Sequence, residues 1–392
     1  MFFKKTIQKF QSTPTPFYYY DLELLDRTIK ALKKESHKYG FHVNYALKAN
    51  ANDKILALIQ KAKLGADCVS GNEVKKAAKL KFKNIFFAGV GKSDAEINIA
   101  LDRNINCFNC ESLQEIEVIN ELARKKKKVA SIAFRINPNV NANTHKYITT
   151  GLEENKFGIN MWELEEVVKR TRQLKNIKIA GIHFHIGSQI TDLGAFKSLC
   201  LKANEIQSWF EHHKIHLEHI NVGGGLGVDY HEPDKNAIPD FAAYFSLFKQ
   251  FLELRPGQTL HFEIGRAIVA QCGSLISKVL YVKKGVNTNF VILDAGMTEL
   301  IRPALYQSYH KIQNLSPAHL PREGGAPIYR SGVRYDVVGP ICESSDCFGK
   351  AVLLAETKRG DLIAIRTTGA YGEVMASQYN LREKVKAVYS AK

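Results

Sequence analysis

The stretch His42-Val-Asn-Tyr-Ala-Leu-Lys-Ala-Asn50 is a short apolar run that closes on one lysine. A turn then leads into residues 52–63, whose apolar positions recur at spacings of three and four. The first pattern is that of a buried strand and the second that of a helix lying against it. The pairing repeats along the chain. Strand-like runs fall at 43–47, 66–70, 84–88, 106–110, 129–136, 177–186, 219–222 and 260–264. Helix-like stretches such as 52–63, 72–80, 93–102, 112–125, 161–174 and 193–213 lie between them. Turn and cap residues mark the joins, Ser70-Gly-Asn72 and Glu111-Ser112 among them. Eight such alternations predict an α/β fold, a parallel (β/α)8 TIM-like barrel over 21–268. A doubly wound open sheet is the alternative. The barrel is preferred because nearly all the unusual residues collect at the C-terminal ends of strands.

Beyond residue 270 the texture changes. Residues 273–284, 289–295, 331–338, 351–356 and 361–367 are β-rich, with Gly and Pro turns and few helical stretches. They predict a mostly antiparallel β-domain over 269–392, which the N-terminal segment 1–20 is expected to join. No internal repeat or low-complexity linker is evident.

Composition excludes several classes. With 45% hydrophobic and 24% charged residues, the 392-residue chain has the make-up of a globular enzyme. No apolar run is long enough for a membrane span, and Met1-Phe-Phe-Lys-Lys5 lacks the apolar core of a secretory signal. Seven scattered cysteines read as reduced thiols of a cytoplasmic protein. Cys107 and Cys110 form a CxxC inside a strand-like run, where their side chains point to opposite faces and read as core packing. The net charge of +16 comes from 55 basic and 39 acidic residues. Its densest run, Arg124-Lys-Lys-Lys-Lys128, falls where a helix should end, and lysines there suit the macrodipole. No interleaved aromatics accompany it, so neither nucleic acid nor membrane is expected as a partner.

Four segments carry candidate chemistry. An ammonium in apolar surroundings is costly to keep charged, so Lys48 is a candidate nucleophilic amine. Such lysines form Schiff bases with carbonyl compounds, pyridoxal phosphate among them. A strand-terminal lysine that snorkels to water is the plainer reading. Asn221-Val-Gly-Gly-Gly-Leu-Gly227 follows the seventh strand. Adjacent glycines let backbone N–H groups wrap an anion. Phosphate sites of such barrels lie in the loops after strands seven and eight, although a glycine triplet is often only a flexible turn. Glu263-Ile-Gly-Arg266 follows the eighth strand. A carboxylate there can keep a pyridine nitrogen protonated, with an ordinary Glu–Arg ion pair as the alternative. Gly181-Ile-His-Phe-His-Ile-Gly-Ser-Gln189 puts His183 and His185 on one side. Neutral imidazoles there would stack on a flat pyridinium, and Ser188 could donate to its phosphate. Satisfied core histidines or metal ligands are the other readings. A third ligand is missing nearby, so no metal is expected.

Together these strings resemble the fold-type III pyridoxal phosphate-dependent decarboxylases, whose barrel is alanine racemase-like, and within them the diaminopimelate decarboxylases. The resemblance runs from about residue 16 to 379. It is carried by Tyr45-Ala-Leu-Lys-Ala-Asn50, Ala66-Asp-Cys-Val-Ser-Gly71, Phe134-Arg-Ile-Asn-Pro138, Lys156-Phe-Gly158, His185-Ile-Gly-Ser-Gln189, the glycine triplet, Arg302-Pro-Ala-Leu-Tyr306, Cys342-Glu-Ser-Ser345 and Gly369-Ala-Tyr371. It implies pyridoxal 5'-phosphate held by Lys48, with His185 stacked on the ring and Glu263 at the ring nitrogen. Ser188, Gly223, Gly224 and Gly225 would hold the phosphate, helped by the backbone around Gly265 and by Tyr371. Asp67, Arg135 and Arg266 join the cofactor-binding set. The family usually has proline where this chain has Ile264, so this loop is expected to be somewhat less rigid.

The same resemblance implies decarboxylation of meso-2,6-diaminopimelate to L-lysine and CO2, the last step of lysine biosynthesis. Arg266, Arg302, Tyr306 and Tyr371 would bind this substrate, the guanidinium forks gripping its far carboxylate. Glu343 would take the distal ammonium. Catalytic roles fall to Lys48, Glu263, His185 and Cys342, the last as proton donor. The Cys342–Glu343 segment would come from the neighbouring subunit of a homodimer. Decarboxylases of ornithine, arginine or carboxynorspermidine are the alternatives, followed by a racemase and a non-catalytic cofactor-binding protein. An ornithine enzyme should lack the arginine pair, and a racemase should put arginine where Glu263 stands.

Overall fold

The first strand of the chain, β1 (Phe17–Tyr20), is followed by eight that pair in sequence order and close on themselves. These are β2 (His42–Ala46), β3 (Gly65–Cys68), β4 (Ile85–Phe87), β5 (Cys107–Cys110), β6 (Ala130–Arg135), β7 (Ile177–His183), β8 (His219–Asn221) and β9 (Thr259–Ile264). Every pairing is parallel, and β9 returns to β2 with Asn44 opposite Glu263 and Tyr45 opposite Ile264. The structure is a computed structural model and describes residues 2–140, 156–316 and 332–390. Contacts divide the chain into two compact units. The barrel unit spans residues 29–227 and 240–266; the other spans 1–28, 228–239 and 267–392.

Helix starts in the barrel unit are written in the sequence. Asn52, Ser70, Ser93 and Ser112 each accept a backbone N–H at the head of the helices Asp53–Lys61, Gly71–Lys79, Asp94–Asp102 and Leu113–Lys125. Each cap contributes about 1 kcal/mol and ends the loop after a strand at a defined residue. Basic residues collect in the last turns, at Lys61, Lys76, Lys79, Arg124 and Lys125, where they complement the macrodipole. The basic run at 124–128 is engaged locally: Arg124 bonds Glu121, Lys126 bonds Asp102, and Lys128 bonds Leu101 O and Asn104.

Outside the barrel, Phe262 sits among Phe41, Tyr244, Phe245 and Phe248 at centroid separations of 5.5, 5.7, 5.0 and 4.9 Å. Each such pair adds about 0.5–1.5 kcal/mol to its burial, which locks the helix Phe241–Phe251 onto β9. Inside, Cys107 packs with Phe86 and Ala133. Phe86 also meets His219 and His261, whose rings lie 5.3 Å apart. Gly181 is required here, since a Cβ would come within 2.4 Å of His219 O and 2.7 Å of its ring.

Burial pushes His219 down to about 4 and His261 down to about 3. Both are neutral in the folded protein over a range where the unfolded chain binds protons. The stability they supply is therefore complete above pH ~6.5 and is lost as pH falls towards their folded values. Between pH 6.5 and 4.5 each is expected to steepen the fall by up to about 1.4 kcal/mol per pH unit. Urea midpoints across this range should fall less steeply in His261→Gln than in the wild type. Identical slopes would contradict the assignment.

In the other unit, β10 (Gly273–Lys284) is central to a mostly antiparallel sheet. The remaining strands are β11 (Asn289–Leu293), β12 (Ile312–Asn314), β13 (Val333–Val338), β14 (Cys347–Leu354), β15 (Leu362–Arg366) and β16 (Lys386–Tyr389). The order is β12-β15-β10-β11-β13-β14, and β1 pairs with β10 and with β16. Two pairings are parallel, β11 with β13 and β1 with β16. The helix Lys4–Gln11 adds Ile7 and Phe10 to a core with Phe17, Tyr19, Ile276 and Leu362.

The run read at 177–186 is shorter as a strand, because the chain leaves the barrel after His183 and carries His185 and Ser188 in a loop. Ser331 lies outside the described residues. Ile264 is not a loop residue. It ends β9, pairs with Tyr45 and is buried, so the ladder holds it where proline was expected to matter. Among the described residues, no helix is long and apolar enough to cross a membrane.

Candidate active site

Lys48 stands in the 3-10 turn Leu47–Ala49 that follows β2, between two fully buried neighbours. Its side chain is 36% exposed, and Nζ lies 3.5 Å from Asp67 Oδ2. The surroundings are thus not the purely apolar ones expected: a carboxylate at the end of the next strand faces the amine. Asp67 is wholly buried, and neither of its oxygens has a hydrogen-bond partner among the described residues. Burial, with the charge of Glu263 behind it, holds the Asp67 carboxyl well above the usual range against the pull of Lys48.

Glu263, on β9, is buried yet fully engaged. Its Oε1 accepts from Asn109 Nδ2 at 3.0 Å and Asn221 Nδ2 at 2.7 Å, and its Oε2 lies 3.0 Å from His183 Nε2. Burial pushes Glu263 up, but His183 beside it and the charge of Lys48 outweigh this, so it stays ionised. Of the two coupled carboxyls, Glu263 holds the charge and Asp67 takes the proton, because only Glu263 is supplied with donors. His183 therefore does not stack beside His185 as the alternation suggested; it is drawn to the carboxylate.

His185 lies in the loop after β7. Burial and the nearby charges of Lys48 and Arg135 push it well below the usual histidine range, so the ring is neutral. Its Nδ1 accepts from Gly224 N at 3.3 Å, which puts the ring proton on Nε2. The glycine triplet is no loose turn. A Cβ on Gly223 would come within 2.2 Å of Phe184 O, and one on Gly224 within 2.0 Å of Glu263 O. Gly265 packs in the same way on the lysine turn, where a Cβ would meet Ala49 Cβ at 2.8 Å.

Ser188 Oγ accepts from Arg266 Nη2 at 2.9 Å, and Arg266 is 6% exposed. Arg135, at the end of β6, bonds Glu111 Oε1 at 2.6 Å and lies 4.7 Å from the Phe157 ring. Glu111 in turn accepts Gly158 N at 2.8 Å. The structure so brings together Lys48, Asp67, Arg135, His185, Ser188, Gly223, Gly224, Gly225, Glu263, Gly265 and Arg266 around the C-terminal ends of the barrel strands. Sequence reading missed Asn109, Asn221 and Glu111, and misplaced His183. Polar side chains at the ends of apolar strands were the available signal.

The remaining expected residues belong to the other unit. Arg302 opens the short helix Arg302–Tyr306, is 6% exposed and lies 5.6 Å from the Tyr230 ring, so it is not a surface arginine. Cys342 and Glu343 are exposed on this chain. Tyr379 Oη donates to Glu343 at 3.1 Å, and Asn380 Nδ2 lies 3.9 Å from Cys342 Sγ. Tyr371 adopts a left-handed backbone with φ 56°.

The donor set fits pyridoxal phosphate. A partly open primary amine, an ionised carboxylate and a buried acid without a hydrogen-bond partner answer to an aldehyde, a ring nitrogen and a further polar group. Residues 22–270 match the family described as pyridoxal-dependent decarboxylase, pyridoxal binding domain. The chain is 56% identical over 387 residues to diaminopimelate decarboxylase of Bacteroides thetaiotaomicron, covering 98% of this chain and 97% of that one. It is 42% identical to the Helicobacter pylori enzyme, over 96% of this chain and 90% of the relative. The crystal structure of the Helicobacter pylori enzyme complexed with L-lysine superposes with a TM-score of 0.90 at 40% identity, covering 98% and 94% of the two chains. The enzyme from M. jannaschii in complex with L-lysine gives 0.88 at 33% identity, over 99% and 89%. The chain belongs to the pyridoxal-dependent decarboxylase family, in the branch of the diaminopimelate decarboxylases.

Proposed function

We propose that this protein converts meso-2,6-diaminopimelate to L-lysine and CO2 in the cytoplasm, the last step of lysine biosynthesis, as a homodimer. The observation that carries the reading is the ionised, triply bonded Glu263 gathered with the Lys48–Asp67 pair, in a chain 56% identical to a diaminopimelate decarboxylase.

When bound, pyridoxal phosphate supplies the electron sink that receives the pair left when the Cα–carboxylate bond breaks. Lys48 offers the amine that holds it, and Asp67 takes up or returns the proton of that amine. Glu263 keeps a proton at the ring nitrogen. The neutral His185 would lie against the ring face, with the charge of Arg135 nearby helping to keep it neutral. Ser188, Gly223, Gly224, Gly225, Gly265 and Tyr371 hold the phosphate. Arg266 shares this work through its bond to Ser188 and, with Arg302, Tyr306 and Tyr371, grips the substrate's far carboxylate. The far ammonium goes to Glu343. Cys342 delivers a proton to Cα as CO2 leaves, and its thiolate is reprotonated from water. Cys342 and Glu343 act in the partner's site, in keeping with their exposure on this chain.

Purified protein with pyridoxal phosphate should release CO2 and L-lysine from meso-diaminopimelate, and little from ornithine, arginine or carboxynorspermidine. Arg302→Ala should lower kcat/KM for diaminopimelate by about 10- to 150-fold, the worth of a lost charge-assisted pair, with the bound-cofactor absorption unchanged. Equal losses in cofactor and substrate binding would remove Arg302 from the substrate's far end. Preference for ornithine would overturn the substrate.

A further inference from the structure

A carboxylate offers about four lone-pair sites. On Glu263, two at Oε1 are filled by the side-chain amides of Asn109 and Asn221, and one at Oε2 by His183 Nε2. Since a carboxylate ion only accepts, the His183 proton sits on Nε2. No further hydrogen bond reaches Glu263 among the described residues. One site, on Oε2, is left over.

We infer that Asn109, Asn221 and His183 are positioning residues that fill three sites of Glu263 and so dedicate its last lone pair, on Oε2, to the proton of the cofactor's ring nitrogen. This rests on the reading of Glu263 above. Each donor is itself held. Asn109, fully buried on β5, has its backbone carbonyl bonded by Lys92 Nζ at 2.8 Å. Lys92 spends its other bonds on Gly89 O and Glu115. Asn221, on β8, donates to Glu263 and accepts from Gly223 N at 2.9 Å with the same amide group. The orientation of the acid is thereby tied to the first residue of the glycine triplet. His183 comes from β7, so three strands converge on one carboxylate of a fourth.

Two of the three donors are amides, which do not titrate. They favour the ionised acid at every working pH and leave its proton no site except the one reserved for the ring. The titratable groups facing Glu263 are His183 on β7, His185 after it, Lys48 after β2, Asp67 on β3, Cys107 on β5, His219 on β8 and His261 on β9. None replaces an amide donor if Asn109 or Asn221 is lost.

The test compares Asn109→Leu, Asn221→Leu, His183→Leu and His183→Gln with Glu263→Gln, all as holoenzymes with thermal melting to confirm folding. The readouts are the pH titration of the visible absorption without substrate and the pH profile of kcat. Both leucine variants of the asparagines should lower kcat at least tenfold with KM changed less than threefold. The acid limb of both titrations should move up by a pH unit or more. His183→Gln, which keeps a donor near the Nε2 position, should recover most of what His183→Leu loses. Where a leucine variant fails to fold, Asn109→Ala and Asn221→Ala remove the same donors with less bulk. Unmoved acid limbs with a lowered kcat would overturn the inference, since loosened packing alone gives that result. If Glu263→Gln itself leaves spectrum and kcat unchanged, the reading of Glu263 has failed instead.

Discussion

Lys48→Ala should give a folded protein that has lost the visible absorption of the lysine-bound cofactor, and turnover lowered by more than ~10³-fold, near the upper range for a positioned proton-transfer group. The expectation is this large because Lys48 has two duties that no neighbour shares. It is the amine that holds the cofactor's aldehyde, and it is the group that exchanges a proton with Asp67 3.5 Å away. Removing it leaves a buried, protonated acid without the amine that faces it. Asp67 then stays protonated and folding is little affected, because an acid that can neutralise itself avoids the cost of a buried charge. An added primary amine should restore part of the turnover. Unchanged colour in Lys48→Ala would move the covalent attachment elsewhere and end the proposed chemistry.

Cys342→Ala is expected to keep the holoenzyme spectrum intact and to lower kcat by about 10²–10⁴-fold, the usual worth of a positioned acid. The group is exposed on this chain, where Asn380 Nδ2 lies 3.9 Å from its sulfur. Removing it therefore disturbs little packing, and any large kinetic loss must come from a step it performs. A mixing experiment tests the shared site. Lys48→Ala and Cys342→Ala proteins are each inactive, but a mixed dimer holds one site with both groups intact. Random re-pairing makes half the dimers mixed, so activity should return to about a quarter of wild type. No recovery on mixing, with subunit exchange confirmed by mass, would place Cys342 in its own chain's site or outside the reaction. A Cys342→Ala protein as fast as wild type would remove it from the mechanism.

The barrel was legible because its signals are local. Each strand core and each cap, such as Ser70 before Gly71–Lys79 or the Ser93–Glu96 box, lies within a few residues of what it organises. The lysine turn and the glycine triplet were legible for the same reason. That the N-terminal segment joins the β-domain was legible; its pairing was less so, for Phe17–Tyr20 is a strand between β10 and β16. Its neighbours lie more than 200 residues away in the chain, beyond any periodicity.

The chain's own order of residues dictates eight strand–helix units, a β-rich remainder, and the placing of Lys48, the glycines and Glu263 at strand ends, since period and punctuation are properties of neighbours. Which donors a buried acid meets is settled only when the barrel closes. Asn109 and Glu263 are 154 positions apart, and His183 and Glu263 are 80 apart. Hydrogen bonds span about 3 Å and are indifferent to separation along the chain. Closure alone made His183 a partner of the carboxylate and two asparagines its fixed donors.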